Sequence, residues 1–290
     1  MTPEPAAHGA PAGLPQLTGY LLRRAYARAA DCAQACIRDD TGLRDVAQLA
    51  LLEERGAMSQ RQLAGLTHVN PTVMVKQVDS LEERGWVARE RNPEDRRSYA
   101  LRLTELGTKA LATLRHELDD GERILTQPLT SKERARLRHQ LRALLDGEGW
   151  MAIDSLAHHN GFLIAQAHRL VREWAADALA PLGVGPRDFG VLSTLGRDQP
   201  CSQNHLAEEL GVSPPAALGF VDGLEQTGLV RRERHAADRR FYDLTLTAAG
   251  ERRLAEALEA AASIQARVVE RLGKAGDAEL QRLLTKVIAW

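Results

Sequence analysis

Between Arg84 and Arg102 stand six arginines (84, 89, 91, 96, 97 and 102) against Glu90, Glu94 and Asp95, a local charge of +3. Between Arg231 and Arg240 five arginines face Glu233 and Asp238, again +3. Guanidinium groups make charge-assisted and often bidentate hydrogen bonds to phosphate oxygens. Two such clusters on a chain whose net charge is only −1 therefore point to a polyanion gripped locally, in two places. In each cluster a carboxylate precedes an arginine pair: Asp95 before Arg96 and Arg97, and Asp238 before Arg239 and Arg240. A carboxylate so placed can orient a guanidinium through paired hydrogen bonds; simple loop solvation is the other reading.

The clusters recur because the chain repeats itself. DRRSYALRLTELG (95–107) returns as DRRFYDLTLTAAG (238–250), and a shift of 143 positions aligns Asp45–Gly107 with Asp188–Gly250 without a gap, 26 of the 63 pairs being identical. At 290 residues the chain exceeds a single domain of roughly 100–200 residues, so two domains are expected. We place them at 17–146 and 150–290, behind a disordered Pro/Ala/Gly leader at 1–16. Hydrophobic content of 44% and charged content of 27% fit a soluble globular protein. No apolar run approaches the roughly 18 residues of a membrane helix, and the N-terminus lacks signal-peptide character. Three cysteines give no disulfide framework. These features predict a cytoplasmic protein with no membrane partner.

The elements that must carry the arginines are legible within one copy. Ser59 reads as the N-cap of a short helix to about Leu66, and Asn70 with Pro71 opens a second that buries Val75, Val78 and Leu81 and ends at Gly85. WVARER and YALRLT alternate as strands around the polar loop NPEDRRS, and Thr104 caps a long helix. In the second copy the same order runs through Ser202–Leu210, Ser213–Thr227, LVRRER and FYDLTLT. Long helices are expected before each core (Leu17 to about Asp40, about Met151 to Leu182) and after it (to about Leu145 and to Ile288). A helix-turn-helix followed by a hairpin is a winged helix. The predicted class is mainly α with small β wings: two winged helix-turn-helix domains joined by a shared, dimerisation-like helical layer with pseudo-two-fold symmetry.

Both halves resemble the MarR family of bacterial transcriptional regulators, whose wing carries Asp-x-Arg followed by Leu-Thr-x-x-Gly. That signature stands here as Asp95-Arg96-Arg97 with Leu103-Thr104 and Gly107, and as Asp238-Arg239-Arg240 with Leu246-Thr247 and Gly250. The resemblance runs over nearly the whole chain from Leu17 and departs from the family in being fused, since its members are usually single-domain chains that pair through terminal helices. The short DGEGW join suits a fused pseudo-dimer whose two reading helices enter major grooves about one turn apart, ~34–36 Å. The resemblance implies double-stranded DNA as partner, Arg97 and Arg240 in the minor groove, and a small aromatic or phenolic effector between the helical layer and the winged helix. The expected unit is one chain, with further self-association open, acting as a repressor of a pseudopalindromic operator. The alternative is a ligand-binding or protein-interaction module that kept the fold without binding DNA.

The reading helices differ between copies. The first offers Asn70, Thr72, Val73, Lys76 and Gln77; the aligned positions in the second are Ser213, Pro215, Ala216, Gly219 and Phe220, with few donors. The first copy is therefore expected to read bases, and the second to contribute shape, apolar contact and phosphate grip. Cys32 and Cys36, four apart, invite a redox reading, but that helical spacing disfavours a bridge and favours small core residues. His158 and His159, with His168 further on, read as a helix-surface cluster rather than metal ligands, because no cysteine or carboxylate completes a metal spacing. Trp86, Trp150, Phe162 and Trp174 read as core residues that could also line an effector pocket. No phosphate loop, dinucleotide pattern, nucleophile elbow or zinc-protease motif occurs, so neither an enzyme nor a cofactor or metal is expected.

Overall fold

The computed structural model describes residues 17–37, 41–91, 99–147, 153–234 and 242–289. The first copy runs α1 (Thr18–Cys36), α2 (Leu43–Arg55), β1 (Met58–Ser59), α3 (Gln60–Leu66), α4 (Pro71–Glu83), β2 (Val87–Arg91), β3 (Tyr99–Leu103), α5 (Glu105–Leu125) and α6 (Ser131–Leu145). The second runs α7 (Asn160–Leu179), α8 (Pro186–Asp198), β4 (Cys201–Ser202), α9 (Gln203–Leu210), α10 (Pro214–Gln226), β5 (Val230–Arg234), β6 (Tyr242–Leu246) and α11 (Ala248–Ile288), the last broken at Gly273. The mainly helical class with two small sheets is as expected. The hairpin gains a third strand in each copy, giving orders β1-β3-β2 and β4-β6-β5.

Local chemistry explains the boundaries. The Ser59 hydroxyl accepts from the Gln62 amide while the Gln62 side chain accepts from the Ser59 amide, a reciprocal cap. Asn70 Oδ1 accepts from the Thr72 amide ahead of Pro71, and Gly85 and Gly228, at φ +70° and +71°, end the α4 and α10 turns in a left-handed conformation. Asp45 and Asp188 close matching turns by accepting from the Gly42 and Gly185 amides at 3.0 and 2.8 Å.

The Leu-Thr-x-x-Gly motif acquires a packing reason. Thr104 and Thr247 accept from the Gly107 and Gly250 amides and donate to the carbonyls of Gly85 and Gly228 at 2.7 Å. The helix therefore starts against the backbone that leaves the reading helix. A Cβ on Gly107 or Gly250 would overlap the Trp86 or Leu229 carbonyl oxygen, well inside van der Waals contact. Only glycine lets the first turn of the helix lie that close to the backbone entering the wing.

Two corrections concern helices. The inward face of α4 is Met74, Val78 and Leu81, whereas Val75, expected inside, is 43% exposed. The helix expected from about Met151 begins at Asn160. Glu54 accepts from the Asp154 and Ser155 amides (2.9 and 2.8 Å), which fold into a 3-10 turn, Asp154–Leu156. Glu122 then accepts from the Asn160 and Gly161 amides, both at 2.9 Å, and caps α7 from another helix. Caps supplied from 38 or 100 residues away leave no local trace.

The chain forms two compact units, each drawing on both copies. One comprises Leu21–Leu170 with Arg271–Trp290; the other comprises Met1–Tyr20 with Val171–Glu270. In the first, Leu137, Leu141 and Leu144 of α6 and Leu280, Leu283 and Leu284 of α11 are fully buried. Glu133 accepts from Arg282 and Lys286 at 2.9 and 2.7 Å, and these bonds, first that from Lys286, hold its carboxyl far below the usual carboxylate range. In the second, a core of Leu179, Val191, Leu192, Leu195, Leu206, Val221, Leu224, Leu244 and Leu246 lies beneath the winged helix, and the Thr18 amide donates to Gln265 Oε1. Among the described residues no helix is long and apolar enough to cross a membrane.

Candidate nucleic-acid interface

On α4 the residues Asn70, Thr72, Val73 and Lys76 are exposed. Val73 and Val75, 44% and 43% exposed, add an apolar strip between the polar ones. Gln77 is half-buried and accepts at Oε1 from Gln48 Nε2 at 2.6 Å. On α10 Ser213, Pro215, Gly219 and Leu218 are exposed and Ala216 is half-buried. The α10 face offers fewer polar donors, as its composition implied. The wing-tip residues Asp95, Arg96, Arg97, Asp238, Arg239 and Arg240 lie outside the described residues, as do Trp150 and the leader.

Each wing is riveted to its reading helix by one arginine. Arg89 of β2 donates to Asp79 at 2.5 Å and to Glu82, both on α4; Arg232 of β5 donates to Asp222 at 2.5 Å and Glu225 at 3.0 Å, both on α10. The hydrogen bond Arg89 donates to Asp79, aided by the Glu82 charge, outweighs burial and pushes the Arg89 pKa further up. Arg102 pairs with Glu90 and Arg231 with Glu233 at 2.8 and 3.2 Å, while Arg84 donates to Thr41 Oγ1 and lies over the Trp86 ring. The count of +3 per hairpin therefore overstates the cationic chemistry turned outward. At the last described register of each wing, Arg91 is opposite Tyr99 and Arg234 opposite Tyr242, with the tyrosines 55% and 44% exposed.

Beside α4 lie two hollows. One of about 40 Å³ is lined by residues including Tyr26, Arg44, Gln48, Phe162, Gln166 and Arg169. A groove of about 330 Å³ shares Tyr26, Leu43 and Arg44 with it and has Gln77 in its wall. The Gln48–Gln77 hydrogen bond joins the wall of one to the wall of the other. Gln48 is fully buried, and its Oε1 has no hydrogen-bond partner. Burial lowers the Arg169 pKa, and its guanidinium donates to the Thr67 carbonyl at 3.1 Å. Of the aromatics singled out in sequence, Phe162 lines the smaller hollow, whereas Trp174 is buried under Arg267 at 3.9 Å. Tyr26, which composition did not single out, lines both hollows and stacks on His168 at 4.8 Å.

A matching groove of about 410 Å³ adjoins α10. Under the 143-residue shift Gly42, Arg44, Asp45 and Gln77 correspond to its Gly185, Arg187, Asp188 and Phe220. The equivalent of Gln48 is the buried Val191, and Arg187 lies 5.6 Å from the Phe220 ring. The second copy keeps the groove and lacks the amide link.

Comparison with known proteins follows this duplication. Two MarR family models match, one at residues 44–99 and the other at residues 182–240. An HTH-type transcriptional repressor of Mycobacterium tuberculosis is 33% identical over 128 residues, covering 44% of this chain and 91% of the repressor. The chain belongs to the MarR family. As a MarR protein it is also similar to the HTH-type transcriptional repressor MdtR of Bacillus subtilis, 33% identical over 91 residues, 31% of this chain and 59% of MdtR. Among solved structures, the transcriptional repressor CouR bound to a 23-mer DNA duplex is 32% identical, covers 43% of this chain and 89% of its own, and superposes with a TM-score of 0.42. The two family matches within one chain establish a tandem of MarR domains.

Proposed function

We propose that this protein is a DNA-binding transcriptional repressor in which one fused chain supplies both reading heads for a pseudopalindromic operator, and that a small aromatic acid releases it. The two repeats, 17–146 and 150–290, stand for the two protomers of an ordinary family dimer. The observation that carries the reading is the duplicated construction: reading helix, arginine rivet and wing occur twice, the rivet and the Thr-Gly contact behind the wing with the same bonds. The composition of the compact units, each taking helical segments from both copies, supports a fused pair. The kinship with named repressors supports the sign of regulation, and Asp95, Arg96, Arg97, Asp238, Arg239 and Arg240 are assigned to the wing grip.

The copies divide the work. Asn70, Thr72 and Lys76 read base edges or phosphates, with Val73 against a thymine methyl. Gln77 supports α4 from the side, and Ser213, Pro215, Ala216 and Gly219 follow groove shape. The effector enters the 330 Å³ groove, a size suited to a small ligand, where the Arg44 guanidinium receives its carboxylate. An effector hydroxyl that donates to the orphan Gln48 Oε1 and accepts from Gln48 Nε2 competes with Gln77 for that N–H, so ligand and DNA favour different placements of α4.

Footprinting and salt titration on DNA upstream of the coding sequence test this reading. Affinity should fall steeply with salt as arginines release condensed counterions. Base changes in one half-site should cost roughly 1–3 kcal/mol each and in the other less. A flat salt response, or equal losses on both sides, rejects the DNA reading or the division of work respectively. Gln48→Leu, which removes the bond the effector competes for, should weaken operator binding and abolish its response to aromatic acids such as salicylate.

A further inference from the structure

We propose that Asp119, His158 and His159 form a binding site for a divalent transition-metal ion of the zinc class, joining α5 to the turn that opens α7. The carboxylate missing from the sequence spacing arrives from α5: one donor atom from each of the three residues lies within 4.8 Å of the others. Ligands of a tetrahedral zinc with bonds of ~2.0–2.1 Å sit about 3.4 Å apart, so side-chain movements of little more than an ångström close the set. Two imidazoles with one carboxylate suit zinc and its neighbours, and leave a fourth position for water.

A second observation points the same way. His159 is 2% exposed, with Nε2 at 2.7 Å from Asp119 Oδ1, and its Nδ1 is buried without a hydrogen-bond partner. The Asp119 contact holds the buried ring in one orientation, so Nε2 already faces the cluster before an ion arrives. The His158 and His159 rings lie 3.9 Å apart, and His158 and Asp119 are exposed, so an ion reaches the cluster from solvent.

The surroundings hold the two histidines in place. Glu122, one helical turn from Asp119, accepts from the Asn160 and Gly161 amides just beyond them. Arg138 donates to the His158 carbonyl and Arg142 to the Ala157 carbonyl, each at 2.8 Å. Such backbone fixation pre-sets the ligand directions before the ion arrives. Neither histidine belongs to α7 itself, which corrects the sequence reading of a helix-surface cluster.

Zinc(II) titrated calorimetrically into the metal-free full-length protein tests the site, with cobalt(II) absorption reporting coordination. One equivalent should bind and raise the melting temperature, and cobalt should show the intense visible bands of a four-coordinate ion. His158→Ala and Asp119→Asn alter exposed side chains, and each should weaken binding roughly tenfold or more and remove the thermal shift. Failure of zinc to bind saturably, or binding unchanged in both variants, overturns the site; the second result would place the ion elsewhere and leave Asp119–His159 a plain hydrogen bond.

Discussion

Gly250→Ala places one methyl group where the structure has no room for it. Its Cβ would overlap the Leu229 carbonyl oxygen and come within 3.0 Å of the carbonyl carbon and 3.4 Å of Leu246 Cδ2. Both obstacles on the carbonyl are backbone, fixed by the Thr247 amide and hydroxyl, so α11 must tilt away from the wing. Overpacking of this kind costs about 1–3 kcal/mol, and at ~2 kcal/mol the melting temperature of a domain this size falls by roughly 5–10 °C. Gly219→Ala, in the same unit, is the matched control, since nothing lies within 4 Å of its Cβ and the position is mid-helix in α10. There the gain in helix propensity is ~0.5–1 kcal/mol. Differential scanning calorimetry of the full chain should therefore show the same chemical change acting with opposite signs. A Gly250→Ala protein that melts with the parent would refute the close-approach explanation of the motif, and Gly107→Ala should repeat the loss in the other unit.

Arg89→Met leaves Asp79 and Glu82 facing each other without a cation; because both carboxylates are partly exposed, we expect a loss of about 1 kcal/mol by chemical denaturation, and Arg89→Lys should not restore it, since one ammonium cannot span both. Asp198 is held at a pKa of about 2 by the Arg197 hydrogen bond, outweighing burial, with His205 adding to it. Its folded value lies below the unfolded value near 3.8, so its contribution is present above that pH and is lost as pH falls toward 2; Asp198→Asn should flatten the acid limb of the stability profile over that window. Burial pushes the Cys201 thiol up to about 11 and raises that of Cys32, so at neutral pH a thiol reagent should label the half-exposed Cys36 first. Equal labelling of all three would contradict the packing.

The winged-helix order was legible because its punctuation is local: Ser59, Asn70 and Thr104 each cap within three residues, and glycines mark the turns. The repeat made the assignment robust, since Arg89 with Asp79 and Glu82 recurs as Arg232 with Asp222 and Glu225. Charge counting went astray at those same arginines, because a sum over hairpin residues is blind to carboxylates on the neighbouring helix. Val75 was misplaced by one helical position, Met74 taking the inward slot. Asp119 beside His159, Glu122 at the start of α7 and the Gln48–Gln77 amide pair are separated by 29 to 40 residues, and no spacing rule reaches across such loops.

The helical segment Arg271–Trp290 completes the unit that otherwise consists of Leu21–Leu170, covering the leucines of α6. On the ribosome, the first-made winged helix therefore has to wait for more than a hundred further residues before its apolar flank is sealed. In the meantime that flank is a natural landing place for a chaperone, or for α6 of another nascent chain, and slowing translation between residues 170 and 270 should raise the yield of aggregates more than an equal slowing before α6 is made.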